Sequence, residues 1–238
     1  MWGPQSSGFP TPLDYASSRD GAVTRFFNAV YAWMAVGLGV TASVAWVVAT
    51  HIESFKALFS TGALIGLFIL QLVLVVVISS AIRRLDATVA TALFVLYAAI
   101  NGVLFSGIFL AYAMSSIAGT FLACAGMFAV MSLYGMFTKT DLTALGKILI
   151  MALIGLIIAT VINVFVHSTA FTYLVSYAGV VIFAGLTAYD TQRLQALAVS
   201  TSGDAAMASR LSVNGALILY LDFINMFLFL LRIMGKRR

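Results

Sequence analysis

Gly215 to Met234 reads GALILYLDFINMFLFLLRIM, a run of apolar and aromatic residues interrupted by one acid, Asp222, and one base, Arg232. About 20 mostly apolar residues wound as a helix cover about 30 Å of hydrocarbon, so this stretch has the length of a membrane span. No period-two alternation runs through it, which favours a helix over a barrel strand.

Working outward, six further stretches have the same character: Phe26 to Ala49, Ala63 to Ile82, Ala87 to Leu110, Ile117 to Phe137, Ile148 to Val166 and Ala170 to Tyr189. Hydrophobic residues make up 62% of the 238 positions and charged ones 9%, with a mean hydropathy of +1.07. That leaves too little polar surface to cover a soluble globule. The sequence predicts an all-α membrane protein: a polar, flexible cytoplasmic tail over 1–24, then a single seven-helix domain over 25–238. The tail has no basic region followed by a short apolar core and a cleavage site, so it reads as a tail and not as a signal peptide.

A net charge of +5 and a pI near 9.5 suggest nucleic acid in a soluble protein, but here the cations cluster at span ends and act as topology signals. With the N-terminus inside, Arg19, Arg25, Arg83, Arg84, Lys139, Lys147, Arg193 and Arg210 face the cytoplasm, against Lys56, Lys236, Arg237 and Arg238 on the other side. The excess favours a cytoplasmic N-terminus and a C-terminus outside. A re-entrant last segment, which returns the basic tail to the cytoplasm, is the competing topology. Glycines at 37 and 39, 62 and 66, 102 and 107, and 179 and 185 are expected to let helices approach closely. The lone Cys124 reads as a packing residue, and Gln71, Asn101 and Asn163 read mainly as interhelical glue.

Asp190, in GLTAYDTQRL, and Asp222 stand out because a carboxylate in a bilayer is costly unless paired, protonated or wetted. Asp190 is expected near the inner end of the sixth span and Asp222 about 10 Å along the seventh, so antiparallel neighbours bring them to comparable depth. Two negative charges about 4 Å apart repel by about 4 kcal/mol at an effective dielectric near 20, so the pair holds one proton between them and titrates as a unit. Deprotonated, the same oxygens are hard ligands for Ca²⁺, a weak site that Asn225, backbone carbonyls or water must complete. Arg83 and Arg84 end the second span on the same predicted side; either is placed to neutralise an aspartate as a latch, the ordinary alternative being a topology anchor. His51 and His167 lack companions at metal-ligand spacing.

GLTAYDTQRL at 185–194, GALILYLDFINMFLFLLRIMG at 215–235 and MSLYGMFTKTDLTALGKILIMALIG at 131–155 are similar to segments of the transmembrane Bax inhibitor motif family, particularly its bacterial inner-membrane members. The resemblance implies seven helices with six wrapped around the last, and a pH-sensitive calcium leak governed by two aspartates, here Asp190 and Asp222. It also implies an arginine at the end of the second span that bonds to the dyad in the closed form, a place that Arg83 or Arg84 fills. The segment before the last span, Thr191 to Asn214, reads as a helical extension of the sixth span followed by a Ser/Gly/Asp turn near Ser202 to Asp204; its length looks like a departure from the family.

Other readings compete. Intramembrane aspartyl proteases pair acids on consecutive spans, but their second acid follows a Gly-x-Gly and here the context is LYLDF. A regulator that binds a membrane protease or a stress pathway is a third reading. No lysine in the last span offers a Schiff base and no nucleotide loop is evident. The expectation is therefore a non-enzymatic membrane protein without a resident cofactor, whose partners are the bilayer, protons, Ca²⁺ and a possible membrane protease, and not nucleic acid.

Overall fold

The computed structural model describes residues 12–81, 84–201 and 203–238, with side chains from residue 21 onward. Among these the chain is helical: α1 (Pro12–Thr50), a short α2 (Ile52–Phe55) continued by a 3-10 turn (Lys56–Phe59), α3 (Thr61–Ala81), α4 (Ala87–Ala111), α5 (Met114–Phe137), α6 (Thr143–Val166), α7 (Thr169–Ser200) and α8 (Ala205–Met234). All but α2 are long and apolar enough to cross a membrane, which gives the seven expected spans.

The expected boundaries hold within a few residues for α3 to α6 and shift elsewhere. The segment read as a loose tail is helical from Pro12 onward, and residues 1–11 lie outside the described residues. A proline lacks an amide hydrogen and is tolerated in the first helical turn, where that hydrogen has no partner inside the helix. The sixth and seventh spans are extended far more. α7 runs on to Ser200, as its expected helical extension allows, and α8 begins at Ala205, ten residues before the expected Gly215. The extensions are amphipathic: Thr191, Leu194 and Ala198 on α7 and Leu211 and Val213 on α8 are buried, while Arg193 and Ala196 are exposed. Asp204 caps α8, accepting the amide of Met207 at 2.9 Å. At 30 unbroken residues, α8 is about 45 Å long, and a helix of that kind does not turn back on itself as the re-entrant topology requires.

α8 is the most buried span, and α3 and α6 are the least. It packs on α1, α4, α5 and α7, whereas α3 leans chiefly on α4 and α6 on α7. Four helices therefore pack on α8, which is compatible with the expected six around the last, but α3 and α6 make no substantial contact with it. Aromatic edges fix its register: Phe94 and Tyr97 of α4 meet the Tyr220 ring, and Phe121 and Phe128 of α5 meet Phe223. Thr41 of α1 donates to the Ala98 carbonyl at 2.9 Å, so the Tyr220 hydroxyl donates to Thr41 Oγ1 at 2.7 Å. Gln71 donates to Asn101 Oδ1 at 2.8 Å and to the Tyr97 hydroxyl at 3.1 Å, and Asn163 donates to Thr172 Oγ1 at 2.7 Å. These amides are glue between helices, as expected.

Glycine is required at some of the expected positions only. A β-carbon at Gly37, Gly102, Gly179 or Gly185 would run into Phe94, Val44, Phe229 or Leu149, but Gly39, Gly62, Gly66 and Gly107 face open space. Close approach there is not what these four glycines provide.

Candidate functional site

Asp190 and Asp222 lie on α7 and α8, which run antiparallel and in contact. Their carboxyls are neighbours on one cavity wall, close enough to act on one another. Both acids are well inside their helices: Asp190 is followed by Thr191 to Ser200 of α7, the helical extension expected of the sixth span. Asp222 is 5% exposed and Asp190 half-buried. Asp222 Oδ2 is buried and meets no hydrogen-bond donor among the described residues. A carboxylate oxygen in that position, with another carboxyl beside it, is chemically suited to a shared proton or to a cation.

Neighbouring helices hold this pair in place from behind. The backbone of α5 at Gly135 lies so close to the Ala188 carbonyl that a β-carbon would overlap it, and Gly146 of α6 leaves room for the Tyr189 ring. Thr191 donates to the Thr187 carbonyl at 2.7 Å and is bonded through Ser132 of α5 to Tyr31 of α1. The buried Cys124 thiol points at the Phe223 carbonyl at 3.5 Å, next to Asp222, in the packing role expected of it.

In front of the pair lies a cavity of about 880 Å³. Its walls come from α3 (Phe68, Leu72), α6 (among them Ile157, Thr160 and Val161), α7 and α8, and Asp190, Asp222 and Asn225 all border it. Asn225 gives its amide hydrogen to the Leu221 carbonyl at 2.8 Å, so its carbonyl oxygen is the group left to serve as a ligand. Among the described residues no three acidic, histidine or cysteine side chains gather as a metal site. Two carboxyls and one amide oxygen are hard donors of the type Ca²⁺ takes, but too few to complete its shell of six to eight oxygens.

Of the two latch candidates, Arg83 lies outside the described residues and Arg84 is exposed in the turn after α3. The arginine that borders the cavity beside the dyad is Arg193, three residues past Asp190 on α7, whose charge acts on Asp190. By sequence it counts only among the cytoplasmic charges that set topology. Its i, i+3 spacing from Asp190 was the available signal, since residues three apart on a helix share a face. Arg210 pairs with Asp86 at 3.7 Å, tying the start of α8 to the residue that precedes α4.

Residues 23–238 match the protein family described as Inhibitor of apoptosis-promoting Bax1. The chain belongs to the Bax inhibitor family. The inner membrane protein YbhL of Escherichia coli K12 is 47% identical over 97% of this chain and 99% of its own length. An uncharacterized protein of Deinococcus radiodurans is 46% identical, covering 90% of this chain and 92% of its own. Protein YrjE of Lactococcus lactis is 40% identical over 91% of this chain and 93% of its own. The Bax inhibitor match takes in all seven spans and both aspartates, so site and family coincide in one continuous region.

Proposed function

We propose that this chain is a pH-sensitive cation leak channel of a bacterial inner membrane, with Ca²⁺ as the permeant ion and Asp190 and Asp222 as its proton sensor. The likeness to an inner membrane protein supports the location, and the excess of cations on one side supports a cytoplasmic N-terminus and a periplasmic C-terminus. The observation that carries the reading is the pair of carboxyls in reach of one another on the wall of a large cavity.

Deprotonated, the pair carries two charges whose repulsion is relieved by a cation, either a side chain or a permeating ion. A single proton removes much of that repulsion and bridges the oxygens. Protonation and cation binding therefore compete for the same atoms, and each state favours a different packing of α7 on α8. Arg193 supplies the neighbouring positive charge, and Arg83 remains the candidate for a latch from the end of α3. Asn225 provides an accessory oxygen. Nothing in this scheme requires bond cleavage, so the proposed protein is not an enzyme and holds no resident cofactor.

Purified protein in vesicles loaded with a calcium-sensitive dye tests it. Flux is expected to rise as pH falls and the dyad's hold on its counter-cation is lost. Asp222→Asn keeps the size and polarity of the side chain while removing the shared titration, and is expected to flatten the pH profile. A profile with an unchanged midpoint and slope overturns the dyad as sensor, and flux no greater than in protein-free vesicles overturns the channel.

A further inference from the structure

We infer that the gap between α3 and α6 is a lateral binding site for an anionic phospholipid, with one acyl chain in the cleft and the phosphate at Arg232. This goes beyond the channel reading and does not depend on it.

The cavity that reaches the dyad is open toward the lipid. α3 and α6, which form its two lips, are the least buried spans and do not pack substantially on one another. Lip residues Phe68, Leu72, Ile157 and Val161 are more than half exposed, so hydrocarbon meets the cleft directly. From Asp222 to Arg232 the cleft follows about 15 Å of α8. That is a groove for a chain, and its side chains at the Arg232 end are apolar except Thr160, whose hydroxyl is spent on the Leu156 carbonyl at 2.8 Å.

Charge complementarity selects the headgroup. Arg232 stands at the end of the groove in the last turn of α8, exposed, with its guanidinium 5.5 Å over the Phe229 ring. No carboxylate lies within ion-pair distance of it among the described residues. Lys236, Arg237 and Arg238 follow within six residues, and Arg237 is 6.0 Å from the Tyr112 ring, so this end of the bundle carries several cations beside an interfacial tyrosine. An arginine at the end of a span lies at headgroup depth, where an anionic lipid supplies its counter-charge. The dyad lies deeper, about 15 Å along α8 from Arg232, so chain and carboxyls occupy different halves of the cavity.

Native mass spectrometry of the full chain in mild detergent, titrated with dioleoylphosphatidylglycerol or dioleoylphosphatidylcholine, tests the inference. One phosphatidylglycerol per chain is expected to be retained in preference to the zwitterionic lipid. Arg232→Gln should reduce that preference about fivefold, the change expected for one cation near the surface. Val161→Trp should expel the lipid by filling the cleft, while Leu122→Trp, on the exposed face of α5 outside it, should leave retention unchanged. Equal retention of the two lipids, loss of lipid in Leu122→Trp as readily as in Val161→Trp, or a second copy of the chain in the lipid's place each overturns it. Because lipid retention is read without ion flux, failure here and failure of the channel reading are separate results.

Discussion

α6 and α8 are both apolar helices of membrane-spanning length, and they are used in opposite ways. α6 is the more apolar of the two, yet it is among the least buried spans and α8 is the most buried. In water the order would be reversed. In a bilayer, a leucine gains nothing by leaving lipid for protein, so the most apolar helix is free to stay outside. The helix that carries Asp222, Asn225 and Tyr220 is the one that must be enclosed. Hydrophobicity along this chain therefore marks contact with lipid, and interruptions of it mark the interior.

The sharpest way to break that contrast is to place bulk on each kind of surface. Gly135 abuts the Ala188 carbonyl and Gly155 of α6 faces open space. Gly135→Leu should separate α5 from α7 just below Asp190 and destabilise the bundle by about 3 kcal/mol or more. Gly155→Leu should stay within about 0.5 kcal/mol of the parent. Thermal unfolding in one detergent compares them, and equal losses would mean that α6 has a protein partner on its outer face.

A smaller effect separates polar groups that join helices from those that serve their own helix. Tyr220 on α8 donates to Thr41 on α1 at 2.7 Å, whereas Thr160 on α6 bonds the Leu156 carbonyl of its own helix. Tyr220→Phe should cost about 1 kcal/mol, the usual size of an interhelical bond in a bundle. Thr160→Val should cost less than about half of that. Chemical denaturation of both variants in mixed micelles is the measurement, and a larger loss for the threonine would contradict the assignment of α6 to the lipid boundary.

The same contrast explains what was legible in the sequence. The seven spans were, because a run of apolar residues signals lipid contact directly. Asp190 and Asp222 were, because a carboxylate in such a run is conspicuous. The extension of α7 past Tyr189 was legible as well, from the helical character of the segment before its Ser/Gly/Asp turn, but the start of α8 at Ala205 was not. Their turns bury one face only, and the polar residues Gln192, Arg193 and Arg210 dilute the signal that hydropathy follows. Arg193 reads as a marker of sidedness when charges are counted, although a helix continued past Tyr189 already places it one turn from Asp190. Glycines were the least legible of all. Gly135 and Gly146 are opposed by Ala188 and Tyr189, more than 40 residues away in the chain, while Gly62 and Gly66 have an attractive spacing and nothing opposite them.

The smallest expected effect belongs to an acid that the bundle does not enclose, and it sharpens what enclosure does for Asp222. Asp141 precedes α6 and is fully exposed. The Thr143 hydroxyl and amide, the latter donating to Asp141 Oδ1 at 2.9 Å, hold its carboxyl below the usual carboxylate range. A group depressed in the folded state contributes stability that is fully present above its unfolded value of about 3.9 and fades as pH falls through the folded one. Asp141→Ala should therefore lower the unfolding midpoint slightly at pH 6, and the gap to the parent should close on acidification below about pH 4. Water around Asp141 screens every partner, so this gap should be far smaller than that of Gly135→Leu. A gap that persists at pH 3 would show that the side chain acts through packing instead of charge, and would remove Asp141 as the exposed counterpart of the buried pair.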